Sequence, residues 1–110
     1  MANTFKSYTT ASIGQSSSTV YTVPSGTTTI VIGIALANKL NTGSTVTADV
    51  FVDKASGSDV YMIRNVELYD GGSFTLAGTG KIILNTGDKL KMSASANFSV
   101  DVIVSVLEQT

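Results

Sequence analysis

The chain contains no histidine, no cysteine and no tryptophan, and only one proline. Without cysteine there is no disulfide framework, no thiolate nucleophile and no sulfur-ligated zinc, so packing alone must hold the fold. Without histidine the side chain most often used as a general base or metal ligand near neutral pH is missing. Aromatic residues make up 7% of the sequence, which leaves few planar surfaces for stacking on a sugar. Charge is scarce as well: 14% of residues are charged and the net charge is −1. Lys6, Lys39, Lys54, Arg64, Lys81, Lys89 and Lys91 are scattered and form no basic stripe, so no nucleic-acid partner is expected. Long apolar runs are also missing. The longest, Ile30 to Ala37, is far short of the ~20 residues a membrane helix needs, and Met1 to Thr10 show no charged leader followed by an apolar segment. The expectation is a soluble chain with no secretion signal and no membrane partner.

What is present is strand chemistry. With 43% apolar residues in 110, the chain suffices for one domain with one core. Ser and Thr dominate the polar positions while Glu, Gln and Arg are few, and no window combines helical spacing with a cap and a stop, so no helix beyond a turn is expected. Near the C-terminus Phe98, Val100, Val102, Val104 and Val106 alternate with Ser99, Asp101, Ile103, Ser105 and Leu107, which commits one face to a core. In Thr27 to Ala37 the period places Ile30, Ile32, Ile34 and Leu36 on one face and Val31, Gly33, Ala35 and Ala37 on the other. Two apolar faces predict a central strand, with Gly33 at a bulge or a close approach. Val46, Ala48, Val50 and Val52 are expected to face inward, with Phe51 outward and exposed. Lys89 to Ala94 reads as a half-buried strand whose Lys89 and Lys91 blunt an edge.

Turns are expected at Pro24-Ser25-Gly26, Asn38 to Ser44, Lys54 to Ser58, Tyr69 to Ser73, Gly78-Thr79-Gly80 and Asn85 to Asp88. They divide the chain into about eight strands, which predicts an all-β fold: a single antiparallel β-sandwich, immunoglobulin-like or jelly-roll-like. Residues 1–18, polar apart from anchors such as Phe5, Tyr8 and Ile13, read as an extended N-terminal arm or an edge strand ahead of a β-sandwich domain over 19–110.

Little in the sequence carries chemistry. Asp53, Asp59 and Asp70 lie near turns, but no Asp-x-Asp-x-Asp-Gly loop is present and they read as backbone caps, so no metal is expected. Glu67 and Glu108 stand in separate parts of the chain, with nothing to bring them to opposite sides of a cleft. There is no Gly-x-Ser-x-Gly elbow, and Gly71-Gly72-Ser73 lacks the strand-loop-helix setting of a phosphate site. No catalytic residue and no cofactor are expected, and the chain is not expected to be an enzyme. The expected functional surface is an interface, with Phe5, Tyr8, Phe51, Tyr61 and Tyr69 as candidate anchors. A carbohydrate-binding module, with Tyr61 and Tyr69 stacking on a sugar, is the distant alternative.

The stretch Tyr21-Thr22-Val23-Pro24-Ser25-Gly26-Thr27-Thr28-Thr29-Ile30-Val31, running on to Ala37-Asn38, resembles the opening of small β-sandwich virion proteins of tailed bacteriophages. Leu84-Asn85-Thr86-Gly87-Asp88-Lys89-Leu90-Lys91-Met92-Ser93-Ala94 is similar to their Gly-Asp turn and the strand after it, and Val100 to Glu108 to their last strand. The resemblance implies a virion structural protein: a capsid decoration (cement) protein bound to the major capsid protein on the particle surface, or else a neck, tail or fibre component. Such a protein is made in the host cytoplasm and is expected to be a homo-oligomer, a dimer or trimer. On this reading the N-terminal segment is an arm, and removing Met1 to Ser18 is expected to leave a folded domain that no longer binds its particle.

Overall fold

The alternation of small, β-branched and hydroxyl residues folds, in a computed structural model, into eight strands with no helix among the described residues. The structure describes residues 2–110, with residues 77–81 described by their backbone alone. In chain order the strands are β1 (Asn3–Ile13), β2 (Ser18–Thr22), β3 (Thr28–Asn38), β4 (Val46–Asp53), β5 (Asp59–Leu68), β6 (Ser73–Leu84), β7 (Lys89–Ala94) and β8 (Val100–Gln109). Two four-stranded antiparallel sheets form, in the orders β1-β8-β3-β6 and β2-β7-β4-β5. The chain pairs as a nested hairpin, β1 with β8, β2 with β7, β3 with β6 and β4 with β5, and alternate pairs roll onto opposite sheets. This is the jelly-roll arrangement, which resolves the choice against an immunoglobulin-like order.

The core lies between the sheets. Val100, Val102, Val104 and Val106 of β8, Leu90 and Met92 of β7, and Val46, Ala48, Val50 and Val52 of β4 all point inward and are buried, as their period-two spacing predicts. Each fully buried Val, Leu or Ile contributes about 1.5–3 kcal/mol relative to leaving it in water. Five of the six expected turns fall where predicted, the exception being Gly78-Thr79-Gly80, and Gly26, Gly71 and Gly87 take the positive φ that closes three of them. The inner end of β3 is tied down by Asn38. Its side-chain nitrogen donates to the carbonyls of Ser44 and Leu68, and its oxygen accepts from the Leu40 N–H.

Several expectations need correction. In β3 the face containing Ile30 and Ile32 was expected to continue into Ile34 and Leu36. Instead Thr29 and Val31 face inward, and from Ile34 onward the even positions do. The partners on β8 move from Val106 opposite Val31 to Ser105 opposite Gly33, so Ile32 is a bulge residue and the parity flips there. The bulge reading of Gly33 therefore holds, and β3 is central as expected.

Phe98 is not the first core residue of β8. It sits at φ 56° before the strand and is 70% exposed. Lys89 and Lys91 lie on a central strand, β7, and not at an edge. The break expected at Gly78-Thr79-Gly80 falls within β6, where the β3 ladder steps from Ile82 opposite Val31 to Ala77 opposite Gly33; the side chains there lie outside the described residues. Of the two readings of residues 1–18, an arm or an edge strand, Asn3–Ile13 take the second: they form β1 at the edge of its sheet, paired with β8.

Candidate functional site

Two clusters of polar side chains lie inside the fold, and both serve the architecture. The first begins with β8, whose inward phase runs on from Val106 to Glu108 and buries a carboxylate at one end of the core. On the facing sheet β2 carries a bulge: Thr19 is opposite Lys91 and Tyr21 is opposite Leu90, so Val20 and Tyr21 both turn inward. Tyr21 donates its hydroxyl proton to Glu108 Oε2 at 2.6 Å, which leaves the Thr29 hydroxyl to donate to Tyr21 at 2.7 Å. Tyr8 donates to the same carboxylate oxygen at 3.2 Å, and Lys6 Nζ lies 3.0 Å from Oε1. The Tyr8 and Tyr21 rings pack with centroids 4.6 Å apart.

The hydrogen bond from Tyr21, with those from Lys6 and Tyr8, holds the Glu108 carboxyl below its ordinary range despite burial. Burial and the adjacent carboxylate push the Tyr21 hydroxyl upward, so it remains a donor. Among the described residues no buried side-chain nitrogen or oxygen lacks a hydrogen-bond partner, and the cluster joins β2 of one sheet to β1, β3 and β8 of the other.

The second cluster is built on Asp88. Burial opposes its ionisation, but donors from Lys54 Nζ and the backbone N–H groups of Ala55 and Asn85 outweigh that and hold its carboxyl below the usual range. It clamps the β4–β5 turn to the β6–β7 turn.

Other candidates are dispersed. Glu67 lies on β5 in the sheet opposite Glu108's strand. Asp53 pairs with Lys91 at 3.1 Å, and no group of three His, Cys, Asp or Glu residues with metal-binding geometry occurs among the described residues.

The outer faces of the two sheets differ sharply. On β2-β7-β4-β5 the outward positions carry Asp49, Asp53, Asp59, Glu67, Lys89 and Lys91, and the Arg64 guanidinium lies 4.6 Å from the Tyr61 ring centre. On β1-β8-β3-β6 the register aligns Phe5, Leu107, Ile30 and Ile83 in one row across all the strands. Two residues along lie Ser7, Ser105 and Gly33, and two further Thr9, Ile103, Ala35 and Thr75. Among the described residues the one charge on that face is Asp101, which is ion-paired to Lys39 at 3.0 Å.

Of the candidate anchors, Phe5, Tyr61 and Tyr69 are exposed, and only Phe5 belongs to the uncharged face. Tyr8 points inward into the Glu108 cluster. Phe51 points outward as expected but is only 7% exposed, because the Tyr61 ring packs on it at 5.0 Å, which corrects the expectation of a free aromatic. The sequence carries no signal for Ile83 and Leu107, or for Ile103 in its own row, because these rows exist only once distant strands are paired.

No family model matches this chain, and no curated protein matches it either.

Proposed function

We propose that this chain is a non-enzymatic structural protein of a tailed bacteriophage particle, acting as a capsid decoration protein that binds the outer shell and stabilises it. The observation that carries the reading is the division of labour between the two sheet faces. One is charged and suited to water; the other is, among the described residues, a nearly uncharged expanse with exposed Phe5, Ile83 and Ile103, of the kind that soluble domains cover with another protein. The resemblance of the Tyr21 to Asn38 and Leu84 to Ala94 segments to phage β-sandwich proteins supplies the setting. A jelly roll alone does not, since that architecture serves many unrelated roles. In a shell, modest contacts repeated by symmetry give high avidity without a deep pocket.

A carbohydrate-binding role is less favoured, because the Arg64 guanidinium already occupies a face of the Tyr61 ring that a sugar would need. The test is to count copies of the chain by quantitative mass spectrometry in purified particles of the virus that encodes it, relative to the major capsid protein. Comparable abundance supports decoration, a level far below it reassigns the chain to the neck, tail or fibre, and complete absence overturns the virion reading.

A further inference from the structure

We infer that the outer face of the β1-β8-β3-β6 sheet is the seat of a second copy of this chain, packed face to face about a two-fold axis along the Ser7–Ser105–Gly33 row. Three observations carry it. The first is shape. To one side of that row stands a ridge, Phe5, Leu107, Ile30 and Ile83, with Phe5 75% and Ile83 59% exposed. To the other side lies a shallow trough of about 430 Å³ whose lining includes Thr9, Ala35, Ala37, Thr75, Ile103 and, at its far end, Asp101, and where the Ala and Thr side chains leave the sheet low. Rotation by half a turn about the middle row lays the ridge of each copy on the trough of the other. Leu107 then meets Ile103 and Ile30 meets Ala35, twice over by symmetry.

The second observation is charge. A face that meets a copy of itself must avoid like charges, and among the described residues this one carries only Asp101, already neutralised by Lys39. The third is area. Four strands about 4.8 Å apart, with a rise of about 3.4 Å per residue over the length of β8, present roughly 650 Å² per copy, or about 1,300 Å² in the pair, within the range of stable specific interfaces. Edge-to-edge pairing is a poor alternative for this sheet. Its two edge strands, β1 and β6, both break register, at Thr10/Ile13 and where β6 passes Val31/Gly33.

The dimer and the particle reading draw on the same face, which a second copy covers in the free protein; mass and cross-linking in solution test the dimer alone, and the copy count in particles tests the particle reading alone. The test uses the full chain in solution. Light scattering after gel filtration should give twice the 11.4 kDa chain mass. Facing sheets lie about 10 Å apart, too far for a disulfide but within reach of a short bismaleimide. The chain has no cysteine of its own, so Ser105→Cys, on the axis, should cross-link to a species of double mass, while Ser93→Cys on the charged outer face should not. Ile83→Lys should yield monomer with an unchanged circular dichroism spectrum. A monomer at all accessible concentrations, a trimer, or a dimer that cross-links through Ser93→Cys and not Ser105→Cys would overturn the proposal. The cross-linking arm stands even if Ile83→Lys folds poorly.

Discussion

Asp101 Oδ1 accepts the backbone N–H of Ser12 at 2.9 Å, across the β1–β8 ladder at the point where β1 carries an extra residue and Ser12 adopts φ 60°. The other sheet repeats the device: Asp49 Oδ1 accepts the N–H of Asn65, at φ 54°, at 2.6 Å, where β5 bulges against β4. In both, an aspartate on an inner strand satisfies a backbone donor that a bulge on the neighbouring edge strand frees from the ladder, and so holds a left-handed residue in place. Register irregularities occur on all four edge strands, β1, β2, β5 and β6, which blunts their capacity to recruit another strand.

Replacing Asp101 by Ala removes the acceptor for Ser12 and the partner of Lys39. The expected loss is about 1–2 kcal/mol at neutral pH, read from urea unfolding. Because Ser12 bears the cost of a positive φ, Ser12→Gly in the Asp101→Ala background should recover part of that loss. No recovery would show that the bulge imposes no backbone cost.

Tyr21→Phe leaves the buried Glu108 without its shortest hydrogen bond. A drop of about 1–3 kcal/mol is expected, a range typical for a buried charged acceptor that loses its donor. Tyr8→Phe, at the longer 3.2 Å contact, should cost less. Thermal unfolding of the two variants side by side tests the order.

Glu108, Asp88 and Asp101 are all held below their ordinary carboxylate values. In the unfolded chain these groups take up protons near their reference values of 4.5 and 3.8, while the folded protein resists protonation to lower pH. The unfolded state therefore binds more protons as pH falls through that window, and stability declines. Urea midpoints should be flat from neutrality to about pH 5 and fall steeply below about pH 4.5. Glu108→Gln should flatten part of that acid limb, and a variant whose acid limb matched the parent's would show that Glu108 does not contribute to it.

Deletion of residues 2–13 should unfold the domain, contrary to the expectation for a dispensable arm. It removes a whole edge strand together with buried Ile13, uncovers Val104 and Val106 along β8, and takes Lys6 and Tyr8 away from Glu108. Circular dichroism of the truncated chain decides: a native β spectrum with a cooperative melt would restore the arm.

Much of the fold is legible in the sequence where period two runs without interruption, as in Val46 to Val52, Leu90 to Ala94 and Val100 to Val106. The same reading carries Glu108 inward, because it lies two residues beyond Val106 in the same phase. It fails at Ile32, since a bulge adds one residue and reverses every side chain after it, and a bulge is a relation between two strands rather than a property of one. The burial of Phe51 is illegible for a similar reason: its direction follows from β4, but its cover comes from Tyr61 on β5.

By itself, then, the sequence determined that this chain is all-β, that it has one core with no covalent staple, and which side chains of each regular strand enter that core. These follow from local propensity and alternation, which act within a few residues. Only the tertiary structure decided that the strands roll into a jelly roll, that Tyr21, Tyr8 and Lys6 converge on Glu108, and that Phe5, Leu107, Ile30 and Ile83 form one ridge. Those are alignments between residues about a hundred positions apart, as Tyr8 and Glu108 are. They exist only once the strands have chosen their neighbours and their register.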